Sequence, residues 1–451
     1  MLPHEKIPES VMAVLARLKE RGFEAYLVGG CVRDMVRRAT PKDYDVATSA
    51  LPQEVQRSFS KTIPTGIEHG TVTVLWKGTH VEVTTFRTEG EYLDARRPSS
   101  VAFHTDIRED LSRRDFTINA MAYDPTTTAL VDPFGGQEDL KAKLIRCVGA
   151  PEERFGEDGL RALRAVRFAA VLGCTLDGPT EAAIPATLPS FRKIAQERIR
   201  EEFTKLLLSE RPVFGVRLLE RTGLLGTFLP EVQSTKGQAQ DATYPGDVFE
   251  HLLATLEASP GNLEVRLAAL LHDIAKPRCA QPTSDGVRFE GHERHGEQLV
   301  RDVMIRLKFP NKVTETVGLL VREHGLDEGA EWSDGALRRF VARLGEPHLE
   351  PFFTFLEANR STRVDGQHRR KQVQELHDRV NHLLEQRPPL SPRALALNGN
   401  QVMRVLGVGP SPTVGEATRF LMEQVLDEPS LNTPDRLTGL LQNWARSKGF
   451  P

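Results

Sequence analysis

The sequence predicts an α+β fold: a small mixed sheet within residues 1–150, followed by a chain that is helical almost throughout. Three observations carry this reading. Short β-rich runs (AYLV, TVTVLW, HVEVTTF, ALVD) alternate with helical stretches between Glu24 and about Val148. From Pro151 to about Leu384 the pattern is almost continuously helical, with Val265, Leu267, Leu270, Leu271 and Ile274 marking a buried apolar stripe. PPLSP, from Pro388 to Pro392, then breaks the pattern and introduces a last small helical unit reaching Pro451. With 451 residues and 39% hydrophobic content, the chain can bury several cores. We divide it into segments 1–150, 151–245, 246–384 and 385–451.

Composition narrows the class. No apolar run approaches the roughly 20 residues that span a bilayer. The start, MLPHEKIPES, lacks the basic-then-apolar pattern of a signal peptide, so a cytoplasmic protein without membrane partners is expected. Cys31, Cys147, Cys174 and Cys279 form no C-x-x-C pair and read as buried thiols. A net charge of −3 excludes a protein that is basic all over, but not one with local basic surfaces. Such clusters stand at Arg96–Arg97, Arg113–Arg114, Arg161 to Arg167, Arg192 to Arg200 and Arg360 to Lys371. Taken singly, each is equally a solvated helix face.

In the first segment, Tyr26-Leu27-Val28 runs into Gly29-Gly30 and then into a helix carrying Arg33 and Asp34. A turn without side chains, opening on helical N–H groups, admits a triphosphate, although a plain strand-to-helix turn has the same spelling. Asp43-Tyr44-Asp45-Val46 places two carboxylates at i and i+2, on one face of a predicted strand. Adjacent like charges need a cation, and oxygen ligands suit Mg²⁺; an edge strand showing two acids to water is the bland alternative. Glu82, between Val81 and Val83 in a predicted hairpin, supplies a third acid facing away from their apolar side. Three acids on neighbouring strands fit a two-metal site.

These segments, LVGGCVRD (27–34), KDYDVAT (42–48) and DLSRRDFTINAMAYD (110–124), resemble the head of class II tRNA nucleotidyltransferases and bacterial poly(A) polymerases. The resemblance continues through DPFGGQEDL (132–140), RFGEDGLRALRAVRFAA (154–170) and ERIREEF (197–203). It implies a polymerase-beta-like head followed by neck, body and tail helices, with Asp43 and Asp45 as metal ligands and Glu82 as the third acid. By the same resemblance, Gly29, Gly30, Arg33, Arg114, Asp115, Asn119, Glu157, Asp158, Arg161 and Arg164 form the nucleotide site. TFRTEGEYLDARRP (85–98) matches a loop of members that add the terminal A. The implied substrates are tRNA, CTP and ATP, and the implied reaction is CCA addition. An A-adding specialist and a poly(A) polymerase share every motif quoted. Whether the chain is a monomer or a homodimer is not legible.

Base choice without a template is expected from a helix opening at Glu157-Asp158, which would set Asp158 and Arg161 on one face. Cytosine and adenine each show an exocyclic amine beside an unprotonated ring nitrogen; guanine and uracil present the reverse order. An acceptor next to a donor therefore fits C and A. In the resembled family, E-D-x-x-R is the protein template for CTP and ATP.

Further on, His251, His272-Asp273, His292, His295 and His324 resemble an HD phosphohydrolase domain over roughly 246–370. That resemblance implies His251, His272 and Asp273 as ligands of a second divalent metal such as Mn²⁺ or Ni²⁺. It also implies a later Asp, where LEANRS instead places Asn359.

Overall fold

The computed structural model describes residues 4–89, 101–240, 243–284 and 286–449. The final nine residues of TFRTEGEYLDARRP, with Arg96 and Arg97, lie outside them. Two compact units are present: residues 1–233 with 306–308, and 234–305 with 309–451.

The first unit opens with helix α1 (Glu9–Glu20), strand β1 (Ala25–Val28), helix α2 (Gly30–Val36) and strand β2 (Asp45–Thr48). Helix α3 (Pro52–Ser58) leads to β3 (Thr62–Gly66), β4 (Thr71–Trp76) and β5 (Thr79–Thr85). A short ribbon, β6 (Arg87–Glu89) with β7 (Val101–Phe103), precedes helix α4 (Ile107–Ser112) and strands β8 (Ala122–Asp124) and β9 (Ala129–Val131). Seven strands form one mixed sheet in the order β3-β4-β5-β2-β1-β8-β9. All its neighbours are antiparallel except β2 and β5, which run parallel.

Alternation explains the sheet's two faces. Val14, Leu15 and Leu18 of α1 pack with Leu27, Val46, Val72, Val74, Val81 and Val83 in one buried cluster. Val28, Ala47, Phe86, Leu111 and Ala122 belong to another, so the sheet is covered on both sides. The runs AYLV, TVTVLW, HVEVTTF and ALVD fall on β1, β4, β5 and β9. Strands β3 and β8 lack a clear alternating signature and were not expected. After helix α5 (Gly136–Lys141), the helices α6 (Pro151–Glu157) and α7 (Leu160–Leu172) follow, and α7 packs against Gln196–Leu207 and Pro212–Arg221.

Among its described residues the second unit is helical apart from a two-stranded hairpin, Gln281–Thr283 with Gly286–Arg288. Its Leu263–Leu271 helix is buried on every face from Val265 to Leu271, which is more than a stripe. Helices Val248–Ala258, Asn311–Glu323 and Leu349–Ser361 surround it. The helix Gly366–Glu385 stops before Pro388, and Leu397, Val402, Leu421, Val425 and Leu441 build a separate core beyond it. Three cysteines are buried thiols as expected, but Cys279 is only half-buried, because it ends a one-turn helix next to the exposed hairpin. Among the described residues no helix is long and apolar enough to cross a membrane.

Candidate active site

The parallel pairing of β2 and β5 sets Asp45 directly beside Glu82. Val81 and Val83 are buried at 1% and 0% exposure, so Glu82 points away from the core, into a cleft of about 790 Å³ that Asp43 and Asp45 also line. Asp43 corrects one expectation: it is not on the strand. The chain bends at Lys42–Asp43 and β2 begins only at Asp45, so the loop, not strand alternation, brings Asp43 to the same cleft. Asp45 is reached by solvent from the cleft, yet it is ringed by protein. That partial burial, with the charges of Glu82 and Asp43, raises its carboxyl above the usual range despite Arg114 nearby. An aspartate whose charge is disfavoured by two neighbouring acids in one cleft is the electrostatic complement of a divalent cation with oxygen ligands.

At the end of β1, Gly29 takes φ 73°, ψ −128°, a conformation open to glycine. A Cβ there would stand 2.7 Å from the Arg114 guanidinium, so the missing side chain is the space into which Arg114 reaches. Arg114 donates to Asp110 at 3.1 Å. From α2, Arg33 forks onto Asp34 at 2.9 and 3.1 Å and donates to Asn119 Oδ1 at 3.0 Å. Asn119 donates in turn to Asp115 at 3.0 Å, and Asp115 accepts two bonds from Arg164 at 2.9 and 2.7 Å. Burial would raise the Asp115 carboxyl, but the Arg164 charge and the Asn119 hydrogen bond outweigh it and hold it at about 2. Glu202 carries the network further, 2.8 Å from Arg167 and 3.7 Å from Arg164. Sequence reasoning missed Glu202, which nothing in ERIREEF sets apart from the glutamates at 197 and 201.

The expected Asp158–Arg161 pair does not form. Helix α6 ends at Glu157 instead of opening there, Asp158 is extended (φ −143°, ψ 106°), and α7 starts at Leu160. Between them Gly159 lies so close to the backbone of Phe191 that a Cβ would meet its nitrogen at 2.9 Å, while the helical path itself is broken at the extended Asp158. The Asp158 carboxylate caps Leu160 N–H at 3.0 Å and pairs with Arg198 at 2.6 Å. Arg161 pairs with Glu157 and donates to the carbonyls of Arg154 and Arg113, each at 3.2 Å. Arg198 was not singled out, since it lies 40 positions away.

In the second unit, His251, His272, Asp273, His292 and His324 converge; His295, exposed, does not join them. Asp273 Oδ2 is 3.5 Å from His251 Nε2, 3.2 Å from His272 Nε2 and 2.7 Å from Lys276 Nζ. Its Oδ1 faces His292 Nε2 at 3.3 Å and His324 Nε2 at 3.5 Å. Burial drives His251 well below the usual imidazole range and His324 down to about 4. At His292 burial is outweighed by the facing Asp273, and its value rises. The cluster borders a cavity of about 680 Å³.

A mixed sheet with paired acids on parallel neighbours, a glycine turn against an arginine and a helical continuation define a nucleotidyltransferase with a polymerase-beta-like head. Residues 25–146 match the poly A polymerase head domain, residues 173–235 the "Probable RNA and SrmB-binding site of polymerase A", and residues 248–380 the HD domain. The CCA-adding enzyme of Geobacillus thermodenitrificans is 35% identical over 441 residues, 98% of each chain. That of Lactobacillus delbrueckii subsp. bulgaricus is 36% identical over 92% of each. The crystal structure of the Bacillus stearothermophilus CCA-adding enzyme in complex with CTP superposes with a TM-score of 0.74 at 31% identity, covering 100% of this chain and 99% of that one. The chain belongs to the CCA-adding enzyme family. It is an enzyme of nucleotide transfer that depends on a divalent metal.

Proposed function

We propose that this protein adds CCA to the 3′ end of tRNA, taking CTP and ATP as substrates and Mg²⁺ as the metal of its head. The observation that carries the chemistry is the β2–β5 register, which puts Asp45 beside Glu82 in the cleft shared with Asp43. These three carboxylates would hold the ion, which when bound neutralises triphosphate charge and eases deprotonation of the attacking hydroxyl. In the reaction the tRNA 3′-oxygen bonds to the α-phosphorus, the bond to pyrophosphate breaks, and the hydroxyl proton leaves. Gly29 gives the triphosphate a path with no side chain, Gly30 begins the helix beyond it, and Arg114 meets the phosphates there. Arg33, Asn119, Asp115 and Arg164, tied by hydrogen bonds, fix the sugar side.

Base choice falls to Asp158 as acceptor and Arg161 as donor, oriented by Arg198 and Glu157 rather than by each other. A base that meets this pair the wrong way leaves a buried polar group misfitted, which costs about 1–3 kcal/mol. The division we propose is a catalytic head (1–150), a neck that selects the base (151–245), an HD segment (246–384) and a tail (385–451). With tRNA as its substrate, the protein would work in the cytoplasm.

Purified tRNA transcripts ending before CCA, after C and after CC test this with labelled CTP and ATP, singly and together. Three additions that stop at CCA on the first transcript are expected. Addition of A to the CC-ended transcript alone would make the protein an A-adding specialist, and an unlimited A tail on unrelated RNA would make it a poly(A) polymerase.

A further inference from the structure

The hydrogen bonds that run from Arg33 to Arg164 form an open chain. Arg33 donates to Asn119, Asn119 donates to Asp115, and Asp115 accepts from Arg164. Its two ends are guanidinium groups, which carry like charge and only donate, so they cannot bond to each other. Both ends nevertheless arrive at one aromatic ring. The guanidinium carbon of Arg33 lies 5.2 Å from the ring centroid of Phe168, and that of Arg164 lies 5.5 Å from it. Each is within the roughly 6 Å over which an aromatic face attracts a cation. A third guanidinium, that of Arg167, stacks at 3.5 Å.

Helix geometry brings one of these ends to the ring, and the tertiary fold brings the other. Arg164 and Phe168 are spaced i,i+4 on α7, so their side chains are neighbours on one face. Arg33 comes from α2, beyond the Gly-Gly turn. Phe168 itself is only 4% exposed, and Phe116 packs against it at 79° with the centroids 5.7 Å apart, which leaves the ring little freedom. Each cation also has a carboxylate: Asp34 lies 2.9 Å from Arg33, Asp115 2.7 Å from Arg164 and Glu202 2.8 Å from Arg167. The carboxylates balance the charge. What brings three like-charged groups to one place is the negative face of the ring they share.

We propose that Phe168 is a positioning residue of the nucleotide site: its ring closes the chain Arg33–Asn119–Asp115–Arg164 into a loop and so sets the two guanidinium groups at its ends. The inference rests on the reading of these residues as the sugar side of that site. Phe168 touches no substrate and acts through the arginines. A side chain of similar bulk without a π-system would fill the same space, yet it would leave Arg33 and Arg164 held only by their carboxylates and Asn119. The electrons of the ring, and not its volume alone, carry the effect.

The test replaces Phe168, at that site alone in the full-length chain, by mono-, di- and trifluorophenylalanine. These keep nearly the shape of the ring while withdrawing its negative face in steps. Phe168→Leu is made alongside them. Equilibrium binding of ATP in Mg²⁺, measured well below every melting temperature, should weaken progressively along the fluorinated series. The loss should reach about 5–10-fold at three fluorines and about tenfold or more in Phe168→Leu. The fluorinated series stands even if Phe168→Leu fails to fold. ATP is a substrate for CCA addition, A-only addition and poly(A) synthesis alike, so product lengths from the parent judge the function while the ATP series judges Phe168. ATP affinity that stays flat along the series, whatever happens to the melting temperature, would reduce the ring to packing and overturn the proposal.

Discussion

Replacing Gly29 by alanine perturbs the head at a single point whose consequences follow from geometry. At φ 73°, ψ −128° an alanine is strained by about 1–3 kcal/mol. At roughly 2–4 °C per kcal/mol for a unit of this size, the melting temperature should fall by about 2–12 °C. The new Cβ would also stand 2.7 Å from the Arg114 guanidinium, against an ordinary contact of about 3.5 Å, so Arg114 must withdraw by about 0.8 Å. Asp110 holds that guanidinium at 3.1 Å, so the shift carries through the pair. Misplacing a group that meets the triphosphate by this much should lower kcat/KM about 10–100-fold for CTP and ATP alike. Gly30→Ala is the internal control, because its Cβ would meet Arg33 at 3.7 Å, an ordinary contact. Initial rates on a tRNA transcript lacking CCA, with thermal melts of all three proteins, are the assay. A Gly29→Ala rate within twofold of the parent would refute the reasoning, as would an equal loss in Gly30→Ala.

Three further outcomes are expected. Asp158→Ala should leave metal binding intact and cut discrimination against UTP and GTP by about 10–100-fold; misincorporation assays check this, and unchanged rejection would count against a base-reading role. Asp115 is depressed to about 2 from 3.8, so its stabilisation is fully present above pH 3.8 and is lost as pH falls through 2. That corresponds to about 2 kcal/mol, and Asp115→Asn should flatten this part of an acid unfolding curve. Asp45 is shifted the other way: its folded carboxyl binds protons more tightly than the unfolded chain does, so its charge costs stability above that range. Asp45→Asn should therefore raise the melting temperature in EDTA while abolishing nucleotide addition; a lower melting temperature would contradict the electrostatic account.

Local order settled much of this protein. Alternation in TVTVLW and HVEVTTF fixed the hairpin and turned Glu82 out of the core, because a strand's period of two leaves a residue between two buried valines no other side. The Gly-Gly turn, the helical remainder and the convergence of histidines on Asp273 were legible too, since each rests on neighbours in sequence or on a motif. What stayed hidden depended on contacts between distant segments. The sequence reads as a helix opening at Glu157-Asp158 and carrying Arg161, yet one helix ends at Glu157, Asp158 is extended, and its carboxylate turns to Arg198, 40 residues away. Asp43 reaches its neighbours from a bend and not a strand, because β2 is registered on β5 from Asp45 onward. The direction of the Asn359 amide was set by Arg360 beside it and by imidazoles more than 80 residues distant. Periodicity records which face of an element is buried; which partner a buried charge finds there is decided only when the chain folds.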